Sequence, residues 1–275
     1  MNRVFLAVVL QVLVMLVPAT VRGEVLVLVH GYLSGANYWD ESGVTTILQQ
    51  HGWQRAGVYS VGPGGAGFVP APGLKAGNKF YTVDLPSEAP VLVQVYQLQG
   101  ILDAIARRHG AEPEVLVGHS AGGVVARTAL VRGKYPAVKA LVTIATPHLG
   151  TVRAEQALDA TDIPFPFSLL TDFFGGDLYD TAMRSRGLYV DLVRPQPGSL
   201  LFWLNGQPHP DIKYVSIVRA DTPAGWGDYV VPAYSQDMNN VPALRGRARL
   251  VTIPAEHGLG PQDGSVLVRV LADLK

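Results

Sequence analysis

Apolar positions along this chain follow two alternating patterns. Residues 24–29 read Glu-Val-Leu-Val-Leu-Val, the continuous apolar run of a strand covered on both faces. Residues 115–117, 138–145, 212–218 and 248–253 predict further strands of this kind, and residues 57–61 and 79–83 shorter ones. Between them the period becomes helical. Residues 43–51 bring Val44, Ile47 and Leu48 onto one face, and residues 91–109 keep Val95, Leu98, Leu102, Ile105 and Ala106 in register. Helix-period runs also follow at 124–131 and 265–274. Strands alternating with helices predict an α/β domain with a mostly parallel sheet and right-handed crossovers.

Two stretches break the pattern. Residues 62–78 hold six glycines and three prolines and are predicted to be loop. Residues 151–205 include Ile163-Pro164-Phe165-Pro166-Phe167 and the run from Leu169 to Gly176, aromatic and without period. This segment reads as an inserted cap above the sheet edge, with Phe173 and Phe174 as candidate substrate-binding side chains. Such a cap either lines a pocket for apolar substrate or buries its rings against itself.

The first 23 residues have the layout of a secretory signal. Arg3 supplies the positive start, residues 4–17 are apolar except for Gln11, and Val21-x-Gly23 offers a cleavage site. An uncleaved membrane anchor is the alternative. The expected organisation is a signal at 1–23 and one domain over 24–275, with the cap inserted at about 151–205. Lys plus Arg and Asp plus Glu both number 22, a balance that gives no footprint for nucleic acid. With no cysteine the chain has neither disulfides nor a thiolate nucleophile, and export without cysteine fits a secreted or periplasmic bacterial protein.

The chemistry centres on Gly118-His119-Ser120-Ala121-Gly122-Gly123, which joins the strand at 115–117 to the helix at 124–131. Strand, tight glycine-flanked turn and helix around one serine is the setting of a nucleophile elbow. A serine hydroxyl needs a base, and the base needs an orienting acid. Of the seven histidines, His257 lies four residues beyond the last predicted strand, where a loop opens onto the same crevice as the elbow. Asp221, Asp228 and Asp237 follow the preceding strand. Asp228 stands directly before the apolar Tyr229-Val230-Val231 and is the preferred acid, with Asp221 the runner-up.

In the order Ser120, Asp228, His257 the chain resembles α/β-hydrolases, and among them the bacterial triacylglycerol lipase branch. The resemblance is carried by Val29-His30-Gly31-Tyr32, by the elbow, by Thr146-Pro147-His148-Leu149-Gly150, and by Asp228 with His257. Residues 197–205, Pro-Gly-Ser followed by Leu204-Asn205, resemble the end of the lid region in such enzymes. It implies an oxyanion hole from the backbone amides of Tyr32 and Ala121, while the Tyr32 phenol either lines an acyl pocket or packs. Ester hydrolysis through an acyl-enzyme follows, on a small-molecule or lipid ester, with transient contact at a lipid interface and no nucleic acid. A thioesterase, amidase or acyltransferase would use the same residues, and a non-catalytic lipid-binding member is the third reading. No cofactor is required; calcium near the catalytic histidine is a feature of similar lipases, for which Asp237 and Asp263 are the candidate ligands.

Overall fold

The computed structural model describes residues 23–62, 64–161, 180–219 and 228–274. Among the described residues eight strands form one sheet in the order β3-β2-β4-β1-β5-β6-β7-β8. They are β1 (Val25–Val29), β2 (Gln54–Gly62), β3 (Gly65–Pro70), β4 (Lys79–Asp84), β5 (Glu114–His119), β6 (Val138–Ile144), β7 (Lys213–Arg219) and β8 (Ala248–Ile253). Every neighbouring pair is parallel except β2 with β3. The helices include α1 (Tyr38–Glu41), α2 (Val44–Gln50), α3 (Val91–His109), α4 (Ala121–Arg132), α5 (Val152–Thr161), α6 (Arg186–Leu192), α7 (Leu200–Gly206), α8 (Ala233–Gln236) and α9 (Pro261–Asp273).

The unbroken apolar runs follow from helices on both faces of this sheet. Val25, Val27 and Val29 of β1 enter the core under α3 and α4, while Leu26 and Leu28 enter the core under α2 and α9. Side chains alternate across a strand, so a strand buried on both sides needs apolar residues at every position. Among the described residues no helix is long and apolar enough to cross a membrane.

The expectation of a loop over 62–78 is corrected by β3, which pairs antiparallel with β2 from Gly57–Pro70 to Gly62–Gly65. Backbone pairing needs no apolar side chain, so glycine-rich composition hid it. The strand lies at the sheet edge, where Pro70 at its end costs no ladder bond. Phe68 anchors it, with ring centroids 4.7 Å from Tyr59 and 5.8 Å from Tyr81 and the Arg108 guanidinium 4.3 Å from its own centroid. The last helix also begins earlier than its apolar period. Pro261 takes the first turn, and Asp263 Oδ2 accepts from the Gly260 amide at 2.9 Å.

Candidate active site

The elbow begins where β5 ends. Ser120 has φ 51° and ψ −129°, outside the ordinary regions for a residue with a side chain, and α4 starts at the next residue. Such a conformation costs on the order of 1–3 kcal/mol and persists only where neighbours over-determine it. Here close backbone contacts do so: a Cβ on Gly122 would stand 2.2 Å from the His30 carbonyl oxygen, and one on Gly118 2.4 Å from Gly123 Cα. Ser120 is pinned further by its amide, which donates to the Ile144 carbonyl at 2.9 Å.

The three residues named from sequence come together. Ser120 Oγ donates to His257 Nε2 at 2.9 Å, and His257 Nδ1 donates to Asp228 Oδ2 at 2.9 Å. His257 keeps 20% of its side chain exposed, so solvent reaches the base. Asp228 Oδ1 accepts from the amides of Val230 at 2.8 Å and Val231 at 2.6 Å. Its Oδ2 also accepts from Gln236 Nε2 at 3.1 Å. Burial works to raise the Asp228 pKa, but the His257 hydrogen bond and these amides outweigh it and hold the carboxyl below its usual range. The carboxylate therefore stays ionised beside the imidazole. Asp237 is elsewhere employed: its Oδ1 accepts from the Asn239 amide at 2.9 Å and caps a short 3₁₀ turn. Asp221, Phe173 and Phe174, like the 1–22 stretch of the signal, lie outside the described residues.

The backbone next to Tyr32 and the helix start at Ala121 both lie against the serine. A Cβ on Gly31 would come within 2.9 Å of Ser120 Cβ, so the His30–Tyr32 backbone runs directly against the nucleophile. The Gly31 carbonyl accepts from His30 Nδ1 at 2.9 Å and from Ser34 Oγ at 2.8 Å. In a trans peptide this turns the Tyr32 N–H the opposite way. His30 Nε2 accepts from the Leu85 amide at 3.0 Å, which fixes the tautomer, and burial lowers the ring's pKa so that it stays neutral. Ala121 is the first residue of α4, where an amide has no partner inside its helix. The Tyr32 phenol hydrogen-bonds the Tyr189 hydroxyl of α6, with the rings edge to face at 5.5 Å. A cleft of about 610 Å³ opens beside this loop, with Ser34, Tyr38, Asp84 and Glu88 in its wall.

The Thr146–Gly150 stretch secures the acid loop. The His148 amide donates to the Ser235 carbonyl at 2.8 Å, the Leu149 amide to Ser235 Oγ at 3.1 Å, and Ser235 Oγ to the Gly150 carbonyl at 2.7 Å. Asn205 Nδ2 holds the His148 carbonyl at 3.1 Å and is itself held by buried Arg127 of α4. No sequence pattern marks Gln236, whose Oε1 accepts from the Arg219 amide while its Nε2 holds Asp228. Arg219 ends β7 and pairs with Asp263 at 2.6 Å in a fully buried bridge. A charge at the end of an apolar strand was the available signal for Arg219; Gln236 carried none. Asp263, named for calcium, thus spends Oδ1 on Arg219 and Oδ2 on Gly260. Among the described residues no three His, Asp or Glu side chains converge as a metal set.

A family model described as a PGAP1-like alpha/beta domain matches residues 79–161, which hold β4, α3, the elbow and the Thr146–Gly150 stretch. No curated protein matches the sequence. Among solved structures, the mature form of the lipase BlEst2 from Bacillus licheniformis superposes with a TM-score of 0.59 at 18% identity, over 92% of either chain. A lipase-esterase related protein from Clostridium acetobutylicum ATCC 824 gives 0.56 at 12%, over 92% of this chain and 94% of that one. The metagenomic carboxyl esterase MGS0156 gives 0.53 at 17%, over 92% and 76%. At these identities the likeness is one of fold, and it is that of α/β-hydrolases.

Proposed function

We propose that this chain of α/β-hydrolase fold is an exported serine hydrolase of carboxylic esters that works through an acyl-enzyme. The observation that carries the reading is the unbroken hydrogen-bonded line from Ser120 through His257 to Asp228, with 2.9 Å at each step. As Ser120 Oγ attacks the ester carbonyl, its proton passes to His257 Nε2. Asp228 stabilises the imidazolium and keeps its tautomer. The negative charge forming on the carbonyl oxygen is met by the amides of Tyr32 and Ala121, each such donor worth about 3 kcal/mol of barrier. His257 then gives its proton to the departing alcohol, leaving the acyl group on Ser120. A water, deprotonated by His257, releases the acid and restores the serine.

The segment at about 151–205 is proposed as the cap, with Phe173 and Phe174 contacting the acyl chain. In support, α6 reaches Tyr32 through Tyr189. A panel of p-nitrophenyl esters from about C2 to C16, run with and without chelator, tests the whole reading. Wild type should hydrolyse part of the panel, and Ser120→Ala should lose roughly 10⁵-fold or more in kcat without loss of fold. Persisting turnover in Ser120→Ala would refute the assignment. Phe173→Ala with Phe174→Ala should weaken long chains more than short ones.

A further inference from the structure

His119, which precedes the nucleophile, has no part in the mechanism above. Its side chain is buried. Nε2 donates to the main-chain carbonyl of His257 at 2.9 Å. Because a carbonyl can only accept, the proton sits on Nε2 and Nδ1 is left as a bare acceptor. That Nδ1 has no partner and faces Gly31, where an added Cβ would stand 3.3 Å from it. The imidazole packs at 5.4 Å from the His257 ring and 5.7 Å from Tyr38. Tyr38 in turn accepts from the Leu259 amide at 2.9 Å, and Arg219 reaches the Gly258 carbonyl at 3.3 Å.

The base therefore rides on a loop whose backbone is held at three successive residues, 257, 258 and 259. Only the first of these bonds comes from the elbow itself. It ties the residue next to the nucleophile to the residue that must take the nucleophile's proton. Resting on the Ser120–His257–Asp228 reading, we propose that His119 is a positioning residue that sets the Ser120–His257 distance through the His257 main chain. A misplacement of about 1 Å in such a pair can cost on the order of 100-fold in rate. Burial, and after it the nearby His257, pushes the His119 pKa down to about 3. The ring is therefore neutral at working pH and adds no charge against the imidazolium that forms on His257.

The test compares purified His119→Gln, His119→Asn and His119→Met with wild type on a short p-nitrophenyl ester, alongside the thermal midpoint. Glutamine places an amide donor about where Nε2 stands, asparagine is too short to reach, and methionine fills the space without a donor. The expected result is a kcat loss of about 10- to 100-fold in the asparagine and methionine variants. Glutamine should return to within about threefold of wild type, with KM nearly constant throughout. A side chain that only fills space would follow volume and midpoint instead, making methionine the best variant. Glutamine and asparagine equal in kcat, or an asparagine variant within about twofold of wild type, would overturn the proposal alone. Wild type without Ser120-dependent turnover would overturn the triad reading and the proposal with it.

Discussion

Asp228 accepts four hydrogen bonds, from His257, Gln236 and the amides of Val230 and Val231. Two come from fixed backbone, so the carboxylate cannot rotate to follow a wandering imidazole. It holds one tautomer of His257 in place. Asp228→Asn preserves shape, yet it offers either an amide N–H or a weaker carbonyl to Nδ1. Ester hydrolysis should fall by about 10⁴-fold at neutral pH with little change in the thermal midpoint. Asp237→Asn, which alters only the cap of the 3₁₀ turn that follows Gln236, should stay within about threefold of wild type on the same assay. The reverse ranking would remove Asp228 from the site.

At the scale of elements, the elbow depends on a missing side chain. Gly122 in the first turn of α4 lies against the His30 carbonyl, so any Cβ there forces β1 and α4 apart. Gly122→Ala should destabilise the fold by about 1–3 kcal/mol, read as a lower urea midpoint, and should also reduce turnover by shifting Tyr32 against Ser120. Such contacts explain how much the sequence could say. Helix α3 spans Val91–His109, the same residues its apolar period predicts, because a long amphipathic face leaves little choice of boundary. The strands buried on both faces declared themselves as unbroken runs. Edge strand β3 did not, since its stability comes from backbone pairing and one ring. Ser120 and His257 were legible because elbow and final loop are local patterns. Gln236 and Arg219 were not, because their roles arise from partners that only the folded sheet brings near.

Across the whole molecule, buried titratable groups set how stability follows pH. His30, His119, His148 and His209 all have pKa values lowered first by burial; Arg127 lowers His148 and His209 further. His119 falls to about 3 and His209 to about 4. In the unfolded chain each would titrate near 6.5. As pH falls below that value the unfolded chain takes up protons that the fold refuses, and stability drops. Glu114 works in the opposite sense: burial raises it from 4.5 to about 7, so its contribution weakens the fold as pH rises through that window. His109 is lowered first by burial as well, and the Asp191 carboxyl is raised by it, so five groups against two give a net loss on acidification between about pH 6.5 and 4.5. The thermal midpoint should be lower at the acid end, and Glu114→Gln, which removes one of the two opposing groups, should steepen the fall. A midpoint that rises on acidification would contradict this balance.

Catalysis in this protein rests on Ser120 as a nucleophile made reactive by His257. Covalent labelling reads it directly. A fluorophosphonate reacts when the serine oxygen attacks phosphorus and fluoride leaves, so the protein gains the phosphonyl mass at the residue that attacked. Peptide mapping by mass spectrometry should place a single adduct on Ser120, lost in Ser120→Ala and formed far more slowly in His257→Ala. An adduct on another residue, or labelling that proceeds at the wild-type rate without His257, would contradict the account.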